Sequence, residues 1–195
     1  MDGIARLRDF VRGMTVLADQ GADERRWLTE GKPLLAELVR HDDWLPEVFA
    51  QPGPTYRQNL LHCDPLERFS IVCFVWGPGQ ETPVHDHTVW GLVGMLRGAE
   101  VSTQMIPGPA GTAMREGQVD RLLPGEVVAV SPSLYDIHRV RNALPDRISV
   151  SIHAYGGNIG TIRRNVFDPA TSVMRDFVSG YTGAAPAGLW DREAA

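Results

Sequence analysis

His85 and His87 stand two residues apart within the stretch Gly79-Gln-Glu-Thr-Pro-Val-His-Asp-His-Thr-Val-Trp-Gly-Leu-Val-Gly-Met-Leu-Arg-Gly98. Side chains at i and i+2 of an extended segment leave the same face of a sheet, so both imidazoles can address one point. Two neutral nitrogens meeting at a point suit a metal ion, but two rarely make a stable site, and a third ligand must come from elsewhere in the chain. The pair follows the turn Gly77-Pro78-Gly79 and opens a strand. His41 and His62 have no ligand-like spacing and read as structural or exposed. A second polar set lies downstream, where Ile148, Val150, Ile152 and Ala154 alternate with Ser149, Ser151, His153 and Tyr155. One face of that strand is apolar, and the other carries Ser151, His153 and Tyr155 together, so that a hydrogen-bond relay is possible. The plainer alternative is a half-exposed strand with its polar residues in water.

The elements that would position these residues fall into two textures. Ile4, Leu7, Val11, Met14 and Ala18, with Phe10 and Leu17, recur at helical spacing and predict an amphipathic helix over 2–19. A second helix is expected from Pro33 to His41, with proline in its first turn and Leu34, Leu35, Leu38 and Val39 as the buried stripe. Pro46, Pro52, Gly53 and Pro54 then end the helical pattern. From Thr55 the chain reads as short apolar or alternating runs, with strands expected near 55–62, 68–76, 89–97, 99–106, 117–123, 126–131, 136–142, 147–155, 160–167 and 171–178. Gly77-Pro78-Gly79, Pro107-Gly108-Pro109 and Pro124-Gly125 mark turns between them. The division is a helical part over 1–50, a β-barrel over 55–178 and an irregular tail over 180–195, which Trp190 could pin, all in one domain of 195 residues. Trp27, Trp44, Trp76 and Trp90 are expected in the core, with Trp90, beside the histidine pair, a candidate for a pocket wall.

Composition narrows the function. A net charge of −5, a pI near 5.6 and scattered basic residues give no electrostatic reason to bind nucleic acid. No apolar run approaches the roughly 20 residues needed to span a bilayer, so no membrane association is expected. Cys63 and Cys73 are the only cysteines and read as ordinary thiols; with no targeting pattern at the first Met, the expected setting is a reducing cytoplasm.

Gly79, five residues, His85-x-His87 and then Gly98 resemble the first motif of the cupin superfamily, a mainly β double-stranded β-helix, or jelly-roll barrel. Gly125-Glu-Val-Val-Ala-Val-Ser-Pro-Ser-Leu-Tyr-Asp-Ile-His138, followed by Asn142, is similar to the second, and by that resemblance His138 is the third metal ligand. Trp90, Gly91 and Leu92 stand where cupins ordinarily supply a glutamate ligand, so no carboxylate completes the site there. Three neutral imidazoles leave the charge of a divalent ion unbalanced and half of an octahedral shell open, which favours anionic ligands such as a thiolate. Iron(II) can also pass electron density to dioxygen, whereas zinc could be held but could not do the redox step.

The missing glutamate, His138 and the Ser-x-His-x-Tyr strand together resemble the cysteine dioxygenase family of thiol dioxygenases, from about Tyr56 to Arg164. That family uses non-haem iron(II) to add both atoms of O2 to a thiol sulfur. The resemblance implies Fe(2+) on His85, His87 and His138, an outer relay of Ser151, His153 and Tyr155, and a small carboxylated thiol as substrate. In Tyr56-Arg57-Gln58-Asn59, Gln58 replaces the arginine by which animal-like members hold the substrate carboxylate, and Gly91 replaces the cysteine that they crosslink to the relay tyrosine. Both features resemble the bacterial subgroup that includes 3-mercaptopropionate dioxygenases, in which the arginine nine residues after the relay tyrosine anchors the carboxylate. That position is Arg164, whose neighbour Arg163 faces the opposite side. The expected substrate is 3-mercaptopropionate, with Gln58 able to hydrogen-bond it; L-cysteine, mercaptosuccinate and cysteamine are the alternatives. Two other classes compete, a non-redox zinc or nickel cupin isomerase and a cupin that only binds a small ligand. The metal bound would separate them. The sequence leaves the oligomeric state open.

Overall fold

The computed structural model describes residues 4–182. Two helices, α1 (Ala5–Asp19) and α2 (Glu24–Val39), precede eleven strands. These are β1 (Arg57–Cys63), β2 (Ser70–Trp76), β3 (Val84–His85), β4 (Gly91–Arg97), β5 (Glu100–Ile106), β6 (Arg115–Leu122), β7 (Val127–Val130), β8 (His138–Asn142), β9 (Ser149–Tyr155), β10 (Arg164–Phe167) and β11 (Met174–Phe177). One sheet has the order β1-β2-β9-β4-β7 and the other β11-β10-β3-β8-β5-β6, with every pairing antiparallel. From β2 to β5 and again from β6 to β10 consecutive strands alternate between the two sheets, as the expected double-stranded β-helix requires. Each of the ten predicted strands has a counterpart. The eleventh, β3, is two residues long and too short to show alternation, although it carries His85.

The second helix differs from expectation. It begins nine residues before Pro33, at Glu24, and its N-cap is Asp23, whose side chain accepts from the Arg26 amide at 2.9 Å. Pro33 is inside the helix, which continues because the buried stripe of Trp27, Gly31, Leu35 and Leu38 runs through it. Burial of that stripe outweighs the one backbone hydrogen bond a proline removes.

Both helices pack on the outer face of the first sheet. Leu7, Phe10, Met14 and Leu35 share a core with Ile71, Cys73 and Val75 of β2 and with Val150, Ile152 and Ala154 of β9. The opposite face of β2, made by Val72, Phe74 and Trp76, turns into the barrel with Tyr155. β2 and β9 are therefore buried on both faces, and all seven residues of each are buried. For β2 this explains an apolar run without alternation. For β9 it overrules the half-exposed alternative, because Ser149, Ser151, His153 and Tyr155 face the barrel interior rather than water. The tail expected over 180–195, with Trp190, lies from residue 183 outside the described residues. Among the described residues, no helix is long and apolar enough to cross a membrane.

Candidate metal centre

His85 on β3 and His138 on β8 face each other directly in the ladder, and His87 follows two residues after His85. The three ring centroids are 4.9 to 5.1 Å apart, and one nitrogen from each ring lies within 4.8 Å of the others. In each ring the Nδ1 side is already engaged. His85 Nδ1 donates to the Pro83 carbonyl at 3.0 Å and His87 Nδ1 to Asp136 Oδ1 at 2.6 Å, and His138 Nδ1 lies 3.0 Å from Ser102 Oγ. The first two bonds fix the tautomer, and in all three rings Nε2 is left as the ligand atom. His138 Nε2 is buried without a hydrogen-bond partner. An orphaned acceptor is costly in a protein interior, and a metal ion would satisfy it.

Burial dominates the electrostatics. It lowers His85 to about 4 and puts His87 and His138 well below the ordinary imidazole value, so all three are neutral with lone pairs free. The His87–Asp136 contact is therefore a neutral N–H donating to a carboxylate, not an ion pair. Burial also raises Asp136 to about 6, although the backbone amides of His87 and Thr88 donate to it at 2.6 and 3.1 Å. Among the described residues, the metal-binding cluster consists of these three histidines and no carboxylate. The donor set fits a divalent metal that keeps open positions for other ligands.

Beside the cluster, Ser151 Oγ lies 2.8 Å from His153 Nε2, and His153 Nδ1 lies 2.8 Å from the Tyr155 hydroxyl. The Tyr155 ring stacks on His87 with centroids 5.2 Å apart, so the chain of hydrogen bonds ends against a candidate ligand. Burial raises Tyr155, which stays a phenol, and keeps His153 uncharged. Gly91 is paired with Tyr155, and a Cβ there would come within 2.8 Å of its ring. Cys63 and Cys73 are free thiols, both pushed up by burial, Cys73 to about 12.

Arg164 and Gln58 come together as a separate pair. Arg164 is 5% exposed, and its Nη2 donates to Ser179 Oγ at 2.6 Å, the same oxygen that accepts from Gln58 Nε2 at 2.9 Å. Gln58 Nε2 also donates to the Gly180 carbonyl at 2.8 Å. Arg164 Nε is buried without a partner, and Arg164 has no carboxylate partner among the described residues. Arg163 faces away, 73% exposed, and pairs with Asp176 at 2.7 Å. The register places Arg164 two residues from Val166, the partner of His85. Its charge disfavours protonation of His85 and His87 and steadies the ionised form of Asp136.

A cavity of about 540 Å³, counted to its open mouth, lies between the sheets. His85, His87, His138, His153 and Tyr155 line it, and Gln58 and Arg164 do not. Trp90 does not line it either. Its ring stacks on Trp27 at 4.7 Å in the core beneath the helices, and Trp76 takes the wall position instead. Parity accounts for this, since Trp76 shares the inward face of β2 with Phe74. Sequence reasoning also missed Asp136, Ser102, Ser179 and Glu100. Asp136 had a signal, being a carboxylate two residues before a candidate ligand. The other three had none, because only the fold brings them near.

The sequence pattern of the family described as cysteine dioxygenase type I matches residues 49–168, more than half of the chain. Among solved structures, a conserved protein with a double-stranded β-helix domain from Klebsiella pneumoniae is 19% identical, with 58% of this chain and 89% of that chain covered and a TM-score of 0.45. A cupin superfamily protein from Desulfitobacterium hafniense is 16% identical, with 64% and 88% covered and a TM-score of 0.42.

Proposed function

The chain belongs to the cysteine dioxygenase type I family, and from that premise we propose that it is an iron(II) thiol dioxygenase that converts a small carboxylated thiol, 3-mercaptopropionate, to its sulfinate. Nε2 of His85, His87 and His138 would hold iron(II), which would supply the redox chemistry for joining O2 to a thiolate. The protein's own residues bind, orient and move protons. His85, His87 and His138, all neutral, balance none of the ion's charge, so the site draws an anionic sulfur. Asp136, Ser102 and the Pro83 carbonyl hold the imidazoles in place. The Tyr155 ring stacks on His87, and its hydroxyl is oriented by His153 and through it by Ser151.

The observation that carries the carboxylate is Arg164, a buried guanidinium beside the three histidines that has no ion-pair partner among the described residues. An unpaired buried cation is costly, and a bidentate anion would stabilise it. The substrate carboxylate would take the edge formed by Nε and Nη2, displacing the Ser179 hydroxyl. 3-Mercaptopropionate brings a thiol and a carboxylate and no amino group, and among the described residues no acidic side chain hydrogen-bonds or ion-pairs with Arg164 or Gln58, Asp86 and Asp136 acting on Arg164 only as more distant charges. The test compares steady-state kinetics of iron-loaded wild type and Arg164→Ala. A charged hydrogen bond contributes about 1.5–3 kcal/mol, so KM for 3-mercaptopropionate should rise roughly 10–100-fold while that for the uncharged analogue 3-mercaptopropanol changes little. Equal KM values for the acid in both proteins would remove Arg164 from the role.

A further inference from the structure

Glu100, the first residue of β5, is 2% exposed, yet its side chain turns into the cavity rather than toward solvent. The carboxylate lies against Ser151 and Trp76, and its Oε1 accepts no hydrogen bond. Trp76 Nε1 itself donates to Ser151 Oγ at 3.2 Å, so Ser151 sits where an indole N–H, a carboxyl group and the His153 imidazole converge. A carboxyl buried beside a neutral hydrogen-bond chain, with no cation paired to it among the described residues, has no evident role in stability.

We propose that Glu100 is the terminal member of the Ser151–His153–Tyr155 chain, a positioning residue whose protonation state sets which way the Tyr155 hydroxyl hydrogen points. When Glu100 is ionised, the Ser151 hydroxyl donates to it, and Ser151 Oγ accepts from Trp76 Nε1 and from His153 Nε2–H. His153 Nδ1 is then bare and accepts from Tyr155, so the phenolic hydrogen is turned into the chain. When Glu100 is protonated, it donates to Ser151 Oγ, Ser151 donates to His153 Nε2, and His153 Nδ1–H donates to the Tyr155 oxygen. The phenolic hydrogen is then free for a ligand in the cavity. Both arrangements keep an unbroken run of hydrogen bonds from Glu100 to Tyr155, and they differ by one proton on Glu100.

Burial raises Glu100 to about 7, with Ser151 and Trp76 opposing the shift, so both states are accessible near neutrality. Other ionisable groups share the cavity: Asp120 on β6, His138 on β8, His85 on β3 and His87 just after it, and His153 and Tyr155 on β9. Cys73 on β2 interacts electrostatically with Glu100 and with Arg97 on β4. A pH step from any of these would persist after Glu100 is replaced, and that separates them from the proposal.

The inference rests on the relay reading of Ser151, His153 and Tyr155, and its test has two arms. The first follows the ratio of kcat/KM in wild type to that in Glu100→Gln, which cancels ionisation of the substrate thiol. The glutamine amide donates to Ser151 Oγ as the protonated acid does. The ratio should therefore be near one on the acidic side and fall several-fold as pH rises through about 7, whereas in the Ser151→Ala background it should not vary with pH. A ratio constant with pH in the wild-type background overturns the proposal. The second arm is infrared difference spectroscopy of the iron-loaded wild-type protein, which needs no turnover and no stable variant. A protonated-carboxyl C=O band should disappear across the same pH range and shift in frequency in Ser151→Ala. A band absent throughout, or unmoved by Ser151→Ala, overturns the proposal. If wild type forms no sulfinate, the proposed function fails, and the infrared arm still decides the role of Glu100.

Discussion

At the scale of single residues, the candidate ligands are set by what holds their other nitrogens. Asp136 receives the Nδ1 hydrogen of His87 and two backbone amides, so it aims the ring and fixes the loop that carries it. Asp136→Asn should weaken metal binding roughly 10–100-fold with the fold intact, measured by competition with a chelator of known affinity. Unchanged affinity would mean that the ring is oriented by packing alone. The His85–His87 pair and the Ser-His-Tyr set were legible because an alternation of two along an extended segment carries its own geometry, and His138 was legible only through the likeness to the second cupin motif. Ser102 and Glu100 were not, since each meets its partner across strands that lie far apart in sequence, and Asp136 was passed over although it lies two residues before His138. Trp90 misled for a related reason, because nearness in sequence to His87 says nothing about which side of the sheet an aromatic ring takes.

At the scale of elements, glycines on β4 let two layers approach. A Cβ at Gly94 would come within 2.9 Å of Val39 and 3.0 Å of Leu35 on α2, so the helix sits directly on the strand. Gly94→Val should destabilise the protein by about 1–3 kcal/mol, read from urea unfolding. Gly91 acts on the other side, against Tyr155. Gly91→Ala should lower turnover more than it lowers the unfolding midpoint, because the Tyr155 ring must shift to admit the methyl group; a loss of stability alone would show that the ring's position is not critical. Strand positions were readable from Thr55 onward because Gly and Pro interrupt them at regular intervals. The start of α2 was not, since the proline looked like a first-turn signal. The Asp23 cap and Trp27, which outrank it, precede the stretch of leucines that draws the eye.

At the scale of the whole molecule, the barrel holds an ionisable group, Glu100, that is only 2% exposed, and that couples stability to pH. Burial raises Glu100 to about 7 in the folded protein, above its ordinary value of 4.5. Its contribution is fully present below the lower value and is lost as pH rises through the upper one, since the folded state then carries a buried charge. The difference amounts to something on the order of 3 kcal/mol. Glu100→Gln should therefore gain stability relative to wild type as pH rises from 5 to 8, with little difference at pH 5. An identical pH dependence in both proteins would mean that water reaches the carboxylate.

The central claim concerns the reaction, and it is tested most directly by supplying 18O2 to the iron-loaded protein with 3-mercaptopropionate and analysing the product by mass spectrometry. The account predicts a sulfinate carrying two labelled oxygen atoms, formed in step with oxygen consumption and faster than the corresponding product from L-cysteine. Disulfide as the sole product, or a sulfinate without both labels, although iron is bound, would contradict it.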